Sequence, residues 1–415
     1  MSDTPRGKQP RALTRRQFSA TLTAAAAAAT LPFGGAYAQA RPLKVGVILP
    51  RSGFMAKLGE ICQLGADIAG PMLGDLGYPP LEVMQGDTES DVKKAATNAE
   101  RLIDGGAEVL IGAFDSGQTT AIAAVAEQKG VPLVINIAAA PPITEQGYQF
   151  IFRNFPDARK IVGSNFVLQK QLFGATGTAP SSGVLLHVND TFGTAVAGAI
   201  SRVFDKFEMP YTLTEAIPYD PKARDLSVEV ARAKATGADL LWVVSRLNDA
   251  MLLTREMVKQ RWEPAGIVSS GPGYYEDQYL KTMGRFGDYV ISNVPWYDPQ
   301  KPMTAKLLQA FAAAHPDISV DTNVVYTYEA MLIVADAYKR AGSADPMALQ
   351  AALRATDITD NVSVGPGIAF NEKGQNEGLG LATVQNFDGK PLVVLPKEAA
   401  VRDPVFPIPG WTDRG

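Results

Sequence analysis

Asp115-Ser116-Gly117-Gln118-Thr119-Thr120 sets five hydrogen-bonding side chains and a glycine side by side. The apolar run Val109-Leu110-Ile111-Gly112 precedes it, and a helical stretch then leads to Pro132-Leu133-Val134-Ile135. The polar turn therefore stands between the carboxyl end of a buried strand and the amino end of a helix. A helix start presents unpaired backbone N–H groups and the positive end of its dipole, which suits an anion. Phosphate would need G-x-x-x-x-G-K-[ST] or G-x-G-x-x-G, and neither stands in a suitable place. A small carboxylate fits Ser116, Gly117 and Thr119 better. Ordinary capping by Ser116 or Asp115 is the competing account of the same residues. The next strand end repeats the theme in Asn136-Ile137-Ala138-Ala139-Ala140-Pro141-Pro142. Its small side chains leave backbone N–H and C=O open at the same rim, although a plain loop would read alike.

Other chemistries find little to build on. His187 and His315 lie far apart and no G-x-S-x-G precedes either, so a hydrolase finds no support and no enzyme activity is expected. The single cysteine, Cys62, cannot form an intramolecular disulfide, and its helical setting Glu60–Ala66 suggests a packed thiol. No Cys/His cluster marks a metal site, and no cofactor is expected.

The amino terminus suggests where the protein works. Thr14-Arg15-Arg16-Gln17-Phe18 precedes a weakly apolar, alanine-rich run from Ala20 to Leu31, and small residues end it at Ala36-Tyr37-Ala38-Gln39-Ala40. Paired arginines, a short apolar segment and an A-x-A site read as a twin-arginine export signal over residues 1–40, cleaved near Ala38 or Ala40. The run is far short of the ~20 apolar residues of a membrane span. No cysteine stands after it to carry a lipid, so a soluble periplasmic product is expected. Without residues 1–40 the chain keeps 34 basic and 42 acidic residues, a net charge of −8. That balance points to no nucleic acid or anionic membrane as partner.

The remaining 375 residues exceed a comfortable single core and favour two domains. Strands are expected at 43–49, 81–84, 109–112 and 132–135, with helices over 53–74 and 92–105 between them. A second series has strands at 183–188, 211–217, 239–244 and 266–268, with helices at 192–206, 226–236 and 249–260. This alternation implies two α/β lobes, each a doubly wound parallel sheet. A helix over 327–341 and a hairpin of 381–387 with 391–395, turned by Asp388-Gly389, complete the reading.

The order and spacing of several segments resemble the type I periplasmic solute-binding proteins of the leucine/isoleucine/valine-binding group, the receptors of ABC importers. The segments are Val45–Gly53 with Gly59, Gly112–Gly117, Ala138–Thr144 leading to Phe152-Arg153, Asn189–Gly193, Tyr219-Asp220-Pro221 with Asp225, and Gly365–Gly374. They run across nearly all of the chain after residue 40. The resemblance implies two lobes joined by three crossings, near 152–155, 292–296 and 365–370. Lobe 1 would take 41–154 plus 295–366, lobe 2 would take 155–293 plus 368–396, and 397–415 would form a C-terminal tail. A small ligand would be enclosed in the cleft of a monomer and handed to a membrane permease with its ATPase subunits. A sensing receptor of the same fold would share that cleft.

The resemblance also assigns roles. Ser116 with its neighbour Gly117, and the backbone at Ile137 and Ala139, would grip a ligand carboxylate; Ala139 stands where relatives carry threonine. Phe192 replaces a tyrosine, and Leu58 replaces an aromatic residue. The acid that pairs with an α-ammonium should fall in Ser269-Ser270-Gly271-Pro272-Gly273, around Gly271, where no carboxylate stands. A desolvated ammonium needs a partner. Either the ligand lacks a free α-amine, or a neighbour such as Glu276 replaces the acid. Arg246, just past the strand end at Val244, could clamp a carboxylate bidentately or lie solvated at the surface. Tyr274, Tyr275 and Trp296 could wall the cleft with aromatic rings or simply pack.

Overall fold

Strand β1 (Leu43–Leu49) is buried almost throughout, because helices cover both faces of the sheet it belongs to. The computed structural model describes residues 41–414; the export signal expected over 1–40 lies outside the described residues. Strands β2 (Leu81–Asp87), β3 (Val109–Gly112), β4 (Leu133–Ile135) and β5 (Ile151–Arg153) complete a first, all-parallel sheet in the order β2-β1-β3-β4-β5. Helices α1 (Ala56–Asp75), α2 (Val92–Asp104) and α3 (Ser116–Lys129) connect its strands. The second sheet contains β6 (Ser182–Val188), β7 (Thr212–Tyr219), β8 (Leu240–Val244), β9 (Gly266–Ser269) and β10 (Ile291–Pro295), all parallel. Helices α4 (Ala158–Thr176), α5 (Thr191–Val203), α6 (Ser227–Ala235), α7 (Leu247–Lys259) and α8 (Asp277–Met283) belong to this half. The two sheets define two α/β lobes.

The chain returns to the first lobe after Pro295. There it forms α9 (Pro302–Ala314), α10 (Thr322–Ala341) and α11 (Pro346–Arg354), and then the short pair β11 (Asp357–Ile358) and β12 (Ile368–Ala369). The third crossing lies later than the 365–370 read from the sequence. Ile368 and Ala369 still pair with β11, and the chain enters the second sheet only at β13 (Leu381–Phe387). Strand β14 (Lys390–Leu395) pairs antiparallel with β13, and Asp388 (φ 51) and Gly389 (φ 71) supply the two positive φ angles that a tight hairpin turn requires. Residues 397–414 pack on the second lobe. Phe406, Ile408 and Trp411 are buried, Ile408 N donates to Ala265 O (2.8 Å), and Trp411 Nε1 donates to Trp262 O (2.8 Å).

Polar side chains fasten the crossings. Arg153 is fully buried and its guanidinium donates to the carbonyls of Ala138 (3.1 Å) and Ala140 (2.7 Å) and to Thr144 Oγ1 (2.9 Å). Burial pulls this guanidinium down to about 10, and no carboxylate pairs with it directly among the described residues. Asn154 Nδ2 donates to Glu329 Oε2 (2.7 Å) and accepts at Oδ1 from Asn376 Nδ2 (2.9 Å). Cys62 is fully buried on α1, and burial pushes its thiol well up. Among the described residues, no helix is long and apolar enough to cross a membrane.

Arg153→Met would leave the buried Ala138 carbonyl and Gln375 Oε1 without donors. Loss of such a network costs roughly 3 kcal/mol or more, and chemical denaturation of the variant should show a drop of that size.

Candidate functional site

The carboxyl ends of both sheets face each other across one cavity lined by residues of both lobes. The first lobe contributes Ser116, Ile137 and Ala139; the second contributes Phe192, Arg246 and Gly271. Apolar walls come from Phe114, Phe155, Ile161, Tyr275, Val294 and Pro295. Phe114 reaches the cavity from a left-handed backbone (φ 75), held by its N–H donating to Asn136 Oδ1 (3.3 Å).

Close approach explains two glycines at this rim. A Cβ on Gly193 would lie 1.8 Å from Val188 O, so only glycine lets the start of α5 fold back against β6 and bring Phe192 inwards. A Cβ on Gly271 would lie 2.6 Å from Ser245 O and 3.3 Å from the Phe192 ring. Any side chain there would push the two cavity walls apart.

The start of α3 is answered from within the protein. Asp115 Oδ1 accepts from the amides of Gly117 (3.0 Å) and Gln118 (3.1 Å). The helix is capped, and these donors are not bare as anion binding at Gly117 would require. Thr119 Oγ1 accepts from Ala113 N (3.1 Å) and fastens the turn. Ser116 Oγ accepts from the amides of Ala139 (3.1 Å) and Ala140 (3.3 Å), which joins the two polar loops. With its lone pairs so engaged, the hydroxyl has its proton left to offer. The amides of Ser116, Ile137 and Ala138 donate to no acceptor among the described residues. The Ser116 hydroxyl and these three amides are what the first lobe holds out to a guest.

Arg246 lines the cavity, and its guanidinium is already engaged. It donates to Asp190 Oδ2 on its own lobe and to Asp115 Oδ2 on the other (2.8 Å), with its Cζ 5.2 Å from the Phe192 ring centre. Burial alone would pull the group down; Asp190, then Asp115 and Asp249, outweigh it and hold the guanidinium above its ordinary value. Its backbone is set by the N-terminus of α7, where Arg246 N donates to Asp249 Oδ1 (2.9 Å). The residue is neither a solvated surface arginine nor a free carboxylate clamp. It is an ionic bridge between the lobes.

Gly117, Leu58 and Tyr274, all named from the sequence, stand outside the cavity lining. Gly117 lies behind Ser116 with its amide spent on the cap. Leu58 packs in the core and borders a neighbouring hollow with Phe54, Met55 and Arg246. Tyr274 is fully buried against Tyr279, with ring centres 5.0 Å apart. Gly273 (φ 118) bends the chain just before it, and Tyr275 is the ring that faces the cavity, backed by Trp296 at 5.1 Å. Thr322 and Asn323, from the start of α10, also line the cavity, and the sequence reading does not reach them. Asp321 ahead of them, a helix-capping residue type, is the available signal. Among the described residues, no Asp or Glu lines the cavity, and no cluster of three or more His, Cys, Asp or Glu is placed to hold a metal. Glu276 lies behind Tyr275 in an adjoining hollow.

The family model described as periplasmic binding protein matches residues 42–388, and the chain belongs to that family. Among curated relatives, Leu/Ile/Val-binding protein homolog 7 of Brucella suis biovar 1 is 26% identical over 387 residues, covering 89% of this chain and 95% of the relative. Homolog 8 of Brucella abortus is 24% identical, covering 86% and 92%. Among solved structures, the leucine-binding protein LivK of Thermotoga maritima superposes with a TM-score of 0.73 at 19% identity, covering 86% of this chain and 99% of that one. A solute-binding protein of an ABC transporter from R. palustris, in complex with benzoate, gives 0.72 at 21% identity, covering 85% and 95%. These structures share the two-lobed fold.

Arg246→Met would leave Asp115 and Asp190 facing each other across the cleft without a cation. The lobes should then separate more readily, and small-angle scattering should give a larger radius of gyration than for the parent. Asp115→Asn keeps a capping oxygen and should give a smaller increase.

Proposed function

We propose that this chain is the solute-capturing component of an ABC importer, exported by its twin-arginine segment and working as a monomer in the periplasm. Two lobes shut over a small carboxylate, and the closed form docks on a membrane permease whose ATPase subunits drive uptake. Ligand binding favours closure by its extra affinity for the closed state. Family membership and the cavity between the sheets support this reading. On it, the Ser116 hydroxyl and the Ile137 amide hold the carboxylate, while Phe192, Tyr275 and Phe155 pack against the body of the ligand.

The ligand class is argued from what the cavity lacks. An α-ammonium shut inside would find no carboxylate on the wall, and an unpaired buried charge is costly. Arg246 adds no free charge, since two aspartates already answer it. The reading is therefore a carboxylate without a free amine and with an apolar or aromatic body. Structural neighbours include complexes with benzoate and with 3,4-dihydroxybenzoic acid, besides one with isoleucine.

Calorimetry with benzoate, 3,4-dihydroxybenzoate, leucine and isoleucine tests it directly. An amine-free acid should bind at least tenfold more tightly than either amino acid, and tighter leucine binding would refute the assignment. Ser116→Ala should weaken the best binder by about 10- to 100-fold, the equivalent of one hydrogen bond to a charged group.

A further inference from the structure

The donors that the first lobe holds out stand on two loops: the hydroxyl and amide of Ser116, and the amides of Ile137 and Ala138. Elsewhere on the wall the polar side chains are largely spent. Ser270 Oγ donates to Asn165 Oδ1 (2.9 Å) and accepts from Trp242 Nε1 (2.6 Å). Thr322 Oγ1 donates to Pro295 O (2.6 Å), and Arg246 is held by Asp190 and Asp115. Asn323 is different. It lines the cavity at the start of α10 and is 1% exposed, yet no donor among the described residues reaches its buried Oδ1, the Tyr275 hydroxyl included. Among the described residues, no other side chain of the lining holds a buried polar atom in that state.

The direction of this oxygen follows from the other end of the amide. Asn323 Nδ2 donates to Asp321 Oδ2 (2.9 Å), and because a carboxylate only accepts, the nitrogen belongs on that side. Asp321 borders the hollow behind Tyr275 and not the cavity. With its NH₂ turned out to Asp321, the carbonyl is the end that Asn323 brings to the cavity wall. The carboxylate is itself fixed, since its Oδ1 caps α10 by accepting from the amides of Asn323 (2.8 Å) and Val324 (3.1 Å). Swinging the side chain to another partner would break that bond.

A buried carbonyl without a donor is costly, and a guest that brings one removes the cost. Such a guest needs two kinds of polar group: an anion for the loops at Ser116 and Ile137, and a donor for Asn323. An ammonium is a donor, but its charge would meet one neutral oxygen and no carboxylate on the wall. A hydroxyl is the uncharged donor that suits a single acceptor. We propose that the ligand is a hydroxy acid, an amine-free carboxylate whose hydroxyl donates to Asn323 Oδ1, and that Asn323 selects it over the same acid without the hydroxyl. A site that hydrogen-bonds a hydroxyl rejects the analogue lacking it, because its own buried group is then left unpaired. The hydroxyl can sit on an aromatic ring or beside the carboxylate, and the two cases are separate arms of the test.

The proposal rests on the capture of an amine-free acid and adds the hydroxyl to it. Calorimetry compares benzoate with 3- and 4-hydroxybenzoate, and 4-methylpentanoate with 2-hydroxy-4-methylpentanoate, alongside leucine. In one of the two series the hydroxylated acid should bind about 10- to 100-fold more tightly than the acid without it. The matching methoxy acid, which keeps the oxygen and loses the proton, should lose that gain. Asn323→Leu should bring the ratio within each pair close to one. Asp321 still caps both backbone amides in that variant, and the comparison on the unsubstituted protein stands whether or not the variant folds. Equal binding within both pairs, as when a water answers Asn323, overturns the proposal. So does a preference that survives in Asn323→Leu or in the methoxy acid. If leucine binds more tightly than every amine-free acid, the capture of such acids falls and this proposal with it. If benzoate or 4-methylpentanoate outbinds leucine with no gain from a hydroxyl, that capture stands and only the role of Asn323 falls.

Discussion

A helix that begins inside a cleft must have its first amides answered, and the group that answers them decides what else the cleft can hold. Here the answer is Asp115. Its carboxylate takes the amides of Gly117 and Gln118, so a guest is left with the Ser116 hydroxyl and the amides of Ser116, Ile137 and Ala138. A buried carboxylate in turn needs a cation, and Arg246 reaches across from the other lobe to provide it. Arg246 carries a second acid, Asp190, which caps α5 on its own side. Capping, charge compensation and contact between the lobes are thus one connected arrangement. Each partner would be costly to bury alone.

Much of this is legible in the sequence because strands covered on both faces are apolar throughout. Leu43–Leu49 and Leu240–Val244 announce themselves, and the residues just past each strand end mark the rim. Ser116, Ile137, Ala139, Phe192, Arg246 and Gly271 share a cavity for that reason. Where sequence and structure part, the reasons are local. Helix α10 begins at Thr322 and not at the expected Thr327, because Thr322-Asn323-Val324-Val325 carries β-branched residues that look like a strand and mask the Asp321 cap. The same masking hides Asn323. Tyr274 and Tyr275 are chemically alike neighbours, and the bend at Gly273 decides which one faces the cavity. Arg246 stands at the rim as its strand end implies, but nothing local to it reveals that its partners stand 56 and 131 residues earlier in the chain.

The loop bearing Ile137 and Ala139 owes its shape to Arg153. With the carbonyls of Ala138 and Ala140 drawn towards the guanidinium, the amides of this loop are presented to Ser116 and the cavity. The guanidinium's fixed fork serves four acceptors at once, Gln375 Oε1 among them. The site therefore depends on a cation that touches no ligand, placed at the end of β5 where the chain leaves the first lobe.

That placement has a mechanical side. Arg153 N donates to Gly374 O (2.7 Å) and Asn376 N donates to Arg153 O (3.0 Å), so the outgoing segment at 153–154 and the returning segment at 374–376 are laced edge to edge. Two separate threads between the lobes would permit twist, sliding and bending alike. Laced into one ribbon, they resist shear and torsion and leave flexing about a single line, like the spine of a book. A jaw with one axis brings Asp115 back to Arg246 on every stroke.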